Sequence, residues 1–224
     1  MKMTLGARLT AEFIGTAFLV AAVIGSGVMG EKLAGGNVAV ALLANTIATG
    51  AALVALILTF SSVSGAHFNP VVTLVDAVCG SLPWKDAAAY VAVQVTGGIC
   101  GTVVAHLMFG LSVISVSHHD RHGWPIVLSE FVATFGLLMV IVGCSRFRSS
   151  AVPFAVAAYI TAAYWFTAST SFANPAVTIA RSLSDTFAGI QPVDVPLFIA
   201  AQVVGGLAAT LIFSRLNPID GSSR

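Results

Sequence analysis

Charge is what this sequence has least of. Lys and Arg number 10 and Asp and Glu 9 in 224 residues, 8% in all, whereas 57% of the residues are hydrophobic. A soluble domain carries about 25% charged residues, so these few ionic side chains cannot cover a water-facing surface. That excludes a soluble globular enzyme, a disordered chain and a nucleic-acid binder, and a net charge of +1 offers little to any polyanion. Cysteine is scarce as well. Cys79, Cys100 and Cys144 are odd in number, sit in apolar surroundings and match no metal-ligand spacing. They read as small core residues, and neither a metal nor a cofactor is expected. The solvent of this chain is largely lipid.

No Asp, Glu, Lys or Arg occurs over 33–75, 87–119, 149–180 or 195–214. A helix needs about 20 apolar residues to cross a bilayer. The last run suits one span. The first, at 43 residues, is too long for one and too short for two with a loop. The apolar stretch Leu9 to Gly30 is too long for the core of a signal peptide and has a later echo, so it reads as a retained span.

The chain repeats itself. Ala11-Glu12-Phe13-Ile14-Gly15-Thr16 returns loosely as Ser129-Glu130-Phe131-Val132-Ala133-Thr134, 118 residues on. Asn69-Pro70-Val71-Val72-Thr73-Leu74 returns as Asn174-Pro175-Ala176-Val177-Thr178-Ile179 after 105, and Gln94-Val95-Thr96-Gly97-Gly98 as Gln202-Val203-Val204-Gly205-Gly206 after 108. Three matches in one order indicate two related halves, 1–123 and 124–224, in a single domain. Each half holds three full spans, near 8–29, 37–60 and 87–110 and near 124–145, 151–168 and 195–215. Three is odd, so the second half enters from the opposite side, and the halves form an inverted repeat.

Basic residues set the orientation. With both termini cytoplasmic, that side holds Lys2, Arg8, Lys85, Arg146, Arg148, Arg215 and Arg224, against Lys32, Arg121 and Arg181 outside. Trp84 and Trp124 fall at span ends, where an interfacial belt places them. The histidines in the loop 117–122 read as solvated, not as a metal cluster. The expected location is the inner (plasma) membrane.

Between the second and third span of each half lies an apolar segment too short to cross, about Asn69 to Cys79 and Asn174 to Leu183. Both open with Asn-Pro, a preferred N-cap followed by the residue favoured at the first helical position. Ten residues make a helix of about 15 Å, half the hydrocarbon core. The long charge-free run is therefore one span, a re-entrant loop and a half-helix. Non-helical backbone at that depth survives only where protein buries it or where it lines a water-filled cavity. Two half-helices entering from opposite faces would meet near the midplane, N-termini together and partial positive charge at the junction. Asn69 and Asn174 then cap their own helices and offer amide N–H groups to a passing solute. Gly65, Ala66, His67 and Phe68, with Thr170, Ser171, Phe172 and Ala173, offer a ladder of carbonyls. Two such segments at equivalent repeat positions favour a pore over a pair of buried polar turns.

With these motifs the chain resembles the aquaporin (major intrinsic protein) family over about residues 8–216. The most specific stretches are Ser64-Gly65-Ala66-His67-Phe68-Asn69-Pro70-Val71-Val72-Thr73 and Ser171-Phe172-Ala173-Asn174-Pro175-Ala176, with Glu12 and Glu130 matching glutamates of the first and fourth spans. The resemblance implies an all-α membrane protein of six transmembrane helices and two re-entrant half-helices. It also implies a homotetramer with one pore per subunit, passing water or small uncharged solutes passively.

Two departures stand out. Val71 replaces the alanine usual in the first motif, a change expected to adjust junction packing without closing the pore. More consequential, Val177 stands where the family's outer filter has arginine. Counting back without gaps from the two asparagines places the other filter positions at Thr49, Ala162 and Ser171. A Thr-Ala-Ser-Val quartet has no bulky ring, no histidine and no cation, which implies a wide filter that admits glycerol, small polyols, urea or neutral metalloid acids. Val177-Thr178-Ile179-Ala180-Arg181 and Asp185-Thr186-Phe187-Ala188-Gly189 resemble a bacterial aquaglyceroporin branch associated with arsenic resistance, which implies arsenite or methylated arsenicals among the solutes.

Arg181 has two readings: a vestibule residue that attracts hydroxylated solutes, or a capping arginine paired with Asp185 or loop carbonyls. Glu12 and Glu130 read as acceptors that hold the re-entrant loop of their own half, against the alternative of a proton-coupled pair. His67 is expected to pack behind the loop, and His106 to be a satisfied bundle residue. The glycine pairs permit close helix contact. The leading function is a passive channel. The alternative is an ion-coupled secondary transporter, which would need coupling-ion ligands beside the two Asn amides.

Overall fold

The computed structural model describes residues 3–216. The helices are α1 (Leu5–Leu33), α2 (Val38–Ser64), α3 (Pro70–Val78), α4 (Trp84–Met108), α5 (Trp124–Phe147), α6 (Val152–Phe166), α7 (Pro175–Arg181) and α8 (Val195–Leu216), with a 3-10 turn at Ser149–Ala151 before α6. Six are long and apolar enough to cross a membrane: α1, α2, α4, α5, α6 with its 3-10 turn, and α8.

Both of the first two spans run past their expected ends, to Leu33 and Ser64, and polar side chains cap their starts. Thr4 Oγ1 accepts the Ala7 N–H at 3.2 Å, and Asn37 Oδ1 accepts those of Ala39 and Val40 at 3.1 and 3.2 Å. Within the first half α1 packs on α2 and α4; within the second α5 packs on α6 and α8. The halves join where α2 meets α6, and the half-helices cross over, α3 reaching α8 and α7 reaching α4. This is an inverted repeat of three spans and one half-helix, the aquaporin fold.

Glycine makes these approaches close. A Cβ on Gly97 would lie 2.5 Å from the Phe13 carbonyl oxygen, and one on Gly205 equally near that of Phe131. Where the half-helices cross over, the repeats differ. Gly98 of α4 faces the Ala176 backbone and the Ala180 methyl, each 3.2 Å from a Cβ placed there. Its counterpart Gly206 faces Val71, whose Cγ1 such a Cβ would overlap outright. Val71, fully buried, therefore fills space that only a glycine on α8 leaves open. Gly206→Ala is expected to destabilise the fold by about 1–3 kcal/mol, the usual range for overpacking. Adding Val71→Ala should recover most of the loss, and Gly98→Ala alone should cost less. Thermal unfolding in detergent checks all three; an additive double variant would exclude direct coupling of Val71 to Gly206.

Candidate functional site: the half-helix junction and its cavity

The two Asn-Pro motifs meet as cap to cap. Asn69 Oδ1 accepts the Val71 N–H at 2.9 Å, and Asn174 Oδ1 accepts those of Ala176 and Val177 at 3.0 and 3.3 Å. Each amide also donates across the junction: Asn69 Nδ2 to the Ala173 carbonyl and Asn174 Nδ2 to the Phe68 carbonyl, both at 2.8 Å. An amide nitrogen carries two N–H groups, so one on each asparagine remains for the cavity that both border.

The re-entrant segments before the caps hold an unusual backbone. Ala66, Phe68, Thr170, Ser171 and Ala173 all have φ between 48° and 61°, in the left-handed region. Such residues cost of order 1–3 kcal/mol each and persist only where their surroundings over-determine them. Two buried glutamates do this. Glu12 accepts from the backbone N–H groups of His67 (3.0 Å) and Phe68 (2.7 Å), from the Ser64 hydroxyl (2.6 Å) and from Gln94 Nε2 (2.8 Å). Glu130 accepts from the N–H groups of Phe172 and Ala173, both 2.9 Å, and from Gln202 Nε2 (2.6 Å). Gln94 and Gln202 each pass a second N–H to a half-helix threonine, Thr73 and Thr178, at 2.9 Å. The two halves thus repeat one bonding scheme, and neither glutamate borders the cavity.

That cavity has a volume of about 230 Å³ and runs from Asp76, Ser145 and Val152 past both asparagines to Thr49, Tyr164 and Arg181. One part of its wall is the re-entrant backbone of Gly65, Ala66, His67, Phe68, Ser171, Phe172 and Ala173; another is apolar, including Val23, Leu53, Leu137 and Val156. Thr170 does not border it. Pro70, Val71, Pro175 and Ala176 are buried behind it. His67 borders it while held from three sides: Nδ1 to Thr73 Oγ1 at 3.0 Å, Nε2 to Asp76 at 3.0 Å, and its ring 5.4 Å from that of Tyr90. His106 lies fully buried, bonded to the Ser112 carbonyl and the Ser184 hydroxyl.

Of the four expected filter residues the structure brings Thr49, Ser171 and Val177 to the cavity, but not Ala162, which is exposed on the far side of α6. The cavity face of that helix is Val152, Val156, Ile160 and Tyr164, a stripe of four-residue steps. Ala162 lies two residues from both Ile160 and Tyr164, hence about 200° round the helix. The cavity wall also carries rings, which the expected quartet lacks. Tyr164 borders the cavity and shares a 3.3 Å hydrogen bond with Thr49 Oγ1, and Phe172 lines it too.

Arg181, 2% exposed, borders the cavity, and its Nε donates to the Ala188 carbonyl. Asp185 is not its partner. That carboxylate accepts from the backbone and ring of His118 at 2.9 and 3.1 Å, which holds it below the usual carboxylate range. Arg121 is the residue the sequence reading missed. The loop before α5 is tied to the segment after α7 by bonds from Ser115 N to the Leu183 carbonyl and from Ser117 N to that of Ser182. It carries Arg121 inward, where Nε donates to the Gly189 carbonyl at 2.7 Å and Nη1 to that of Ser169 at 3.1 Å. No local pattern signals this, because the partners lie 48 and 68 residues away. In the same loop Asp120 Oδ1 and His122 Nδ1, 2.5 Å apart, approach Asp194, all ligand atoms lying within 4.8 Å of one another. The His118 and His122 side chains are themselves exposed, as expected of a solvated loop.

Six apolar spans around a cavity that passes between two opposed half-helices define a multi-pass membrane channel, not an enzyme. The chain belongs to the major intrinsic protein family, the aquaporins, whose sequence profile it matches over residues 2–150. It is 54% identical over 209 residues to the aquaglyceroporin AqpS of Rhizobium meliloti (strain 1021), covering 93% of this chain and 89% of that one. It is 29% identical over 221 residues to aquaporin NIP1-3 of Oryza sativa subsp. japonica, covering 95% and 74%. Among solved structures, the aquaglyceroporin from Plasmodium falciparum superposes with a TM-score of 0.75 over 95% of this chain and 97% of that one; at 17% identity this establishes the fold.

Proposed function

We propose that the chain is a passive channel for small neutral solutes: water, glycerol and small polyols, and neutral metalloid acids such as arsenite and methylated arsenicals. The observation that carries this is the cavity wall, where polar groups (the Asn69 and Asn174 amides and the re-entrant backbone) occur together with apolar side chains. Such a one-sided wall replaces part of the hydration of a hydroxylated molecule, whereas an ion would need acceptors all round it, as the carbonyl rings of cation filters supply. Among its lining residues the charged ones are Asp76 and Arg181, each seven residues from its Asn cap and so about 10 Å along its half-helix. Beside the two amides the lining holds no Asp, Glu, Lys or Arg of the kind a coupled transporter would use. The aquaglyceroporin name of the R. meliloti relative supports glycerol as cargo, and the arsenical reading rests on the sequence resemblance after the second motif.

Thr49, Ser171 and Val177, joined by Tyr164, form the outer filter in this proposal, and the two halves divide at 123/124. The protein works as a homotetramer in the inner membrane, both termini cytoplasmic, with no cofactor and no nucleic-acid partner. Stopped-flow light scattering on proteoliposomes tests the reading. Glycerol flux should rise linearly with its gradient, with low activation energy and no response to imposed ion gradients. Saturating flux driven by an ion gradient would establish the transporter instead.

A further inference from the structure

We infer that the outer end of the cavity holds a binding subsite for polyhydroxylated neutral solutes, formed by the Arg181 guanidinium and the Ser171 hydroxyl. It rests on the channel reading above and names the chemistry that the mouth selects.

Arg181 is the last residue of α7, one turn beyond Val177. Its guanidinium carbon lies 3.4 Å from the centroid of the Phe172 ring, and Arg121 lies over the same ring at 5.0 Å. The two cations differ in how their donors are used. Arg121 directs its Nε and one Nη to backbone carbonyls, so it is fixed by the protein and in turn fixes Gly189 and Ser169. Arg181 makes one hydrogen bond within the described residues, from Nε to the Ala188 carbonyl, which leaves the four N–H groups of its Nη atoms without a protein acceptor. No carboxylate pairs with it; the described acidic partners of ion pairs, Asp76, Asp86, Asp120, Asp185 and Asp194, all face other residues. A buried guanidinium with open donors must take acceptors from the cavity it borders. Ser171 lines the same cavity, and its buried Oγ has no hydrogen-bond partner among the described residues.

The shape of these donors selects the ligand. A guanidinium presents parallel N–H groups that match two oxygens held close together. Hydroxyls on one atom, as in a trihydroxy metalloid acid, or on adjacent carbons, as in glycerol, supply such a pair. The Ser171 hydroxyl, donor and acceptor at once, completes it. A neutral solute with a single acceptor oxygen engages the fork through one bond only.

The test compares glycerol with acetamide in proteoliposomes of the full chain, read by stopped-flow light scattering. Arg181→Met keeps the stem and removes the fork; the glycerol-to-acetamide flux ratio should fall at least fivefold. Ser171→Ala should lower the same ratio about twofold. A ratio unchanged in both variants overturns the subsite while leaving the channel reading intact. Should Arg181→Met fail to fold, Ser171→Ala decides by the same criterion. A wild-type chain that passes neither solute overturns the channel reading, and the subsite with it.

Discussion

Glu12→Leu is expected to abolish solute flux and to leave little folded protein. The carboxylate sits at zero exposure and receives four donors: two backbone N–H groups, a hydroxyl and an amide. Leucine fills the volume and accepts nothing, so each donor is orphaned at about 1–3 kcal/mol. The sum rivals the 5–15 kcal/mol by which whole domains are stable. It also falls on Ala66 and Phe68, the positive-φ residues that most need external support. Glu12→Gln is the sharper probe. It conserves shape, yet its NH2 must face groups that themselves donate, so it should fold with a lowered unfolding temperature and reduced flux. Glu130, with three donors, should follow the same order with smaller losses. Size-exclusion profiles and thermal unfolding in detergent provide the readout. Wild-type stability in Glu12→Leu would show that the re-entrant loop holds itself and that the glutamate is dispensable.

Val177→Arg is expected to lower glycerol flux at least tenfold, equivalent to about 1.4 kcal/mol of added barrier, with a smaller effect on water. Val177 is 5% exposed and borders the cavity one turn from Arg181. A guanidinium there narrows the passage and adds a second cation to a wall that already carries Arg181. Water passes a narrower opening and glycerol does not, so the ratio of the two is the informative quantity. An unchanged glycerol-to-water ratio would place Val177 away from the constriction, and Tyr164 with Thr49 would become the narrow point.

Much of this molecule was legible from the chain because lipid imposes strict rules on sequence. Charge-free runs marked four of the six spans, and the Asn-Pro pairs marked the half-helix starts. The repeat assigned Glu12 and Glu130 equivalent tasks, and the structure gives both the same bonding scheme. His67 was expected to pack behind its loop; its ring contacts Thr73, Asp76 and Tyr90, and the residue borders the cavity. For Arg181 the bond to a loop carbonyl, that of Ala188, fits the capping reading, and the residue also borders the cavity.

The filter was the hard part. Ala162 was chosen by counting, whereas four-residue spacing along Val152, Val156, Ile160 and Tyr164 was present in the sequence and identifies the inward face of α6. That signal is faint because nearly every residue of this helix is apolar, so hydrophobicity alone does not separate the lipid side from the cavity side.

Local chemistry therefore determined the elements: where each helix begins, which residues cap it, and which segments are too short to cross. Those properties depend on neighbours within a turn or two and on a bilayer of fixed thickness. Only the tertiary structure decided what lines the passage. It turned Arg121 from an outer loop onto the Phe172 ring and set Val71 against Gly206. It also put Tyr164, not Ala162, beside Thr49. Each of these contacts joins residues far apart in the chain, through packing that no short-range pattern encodes.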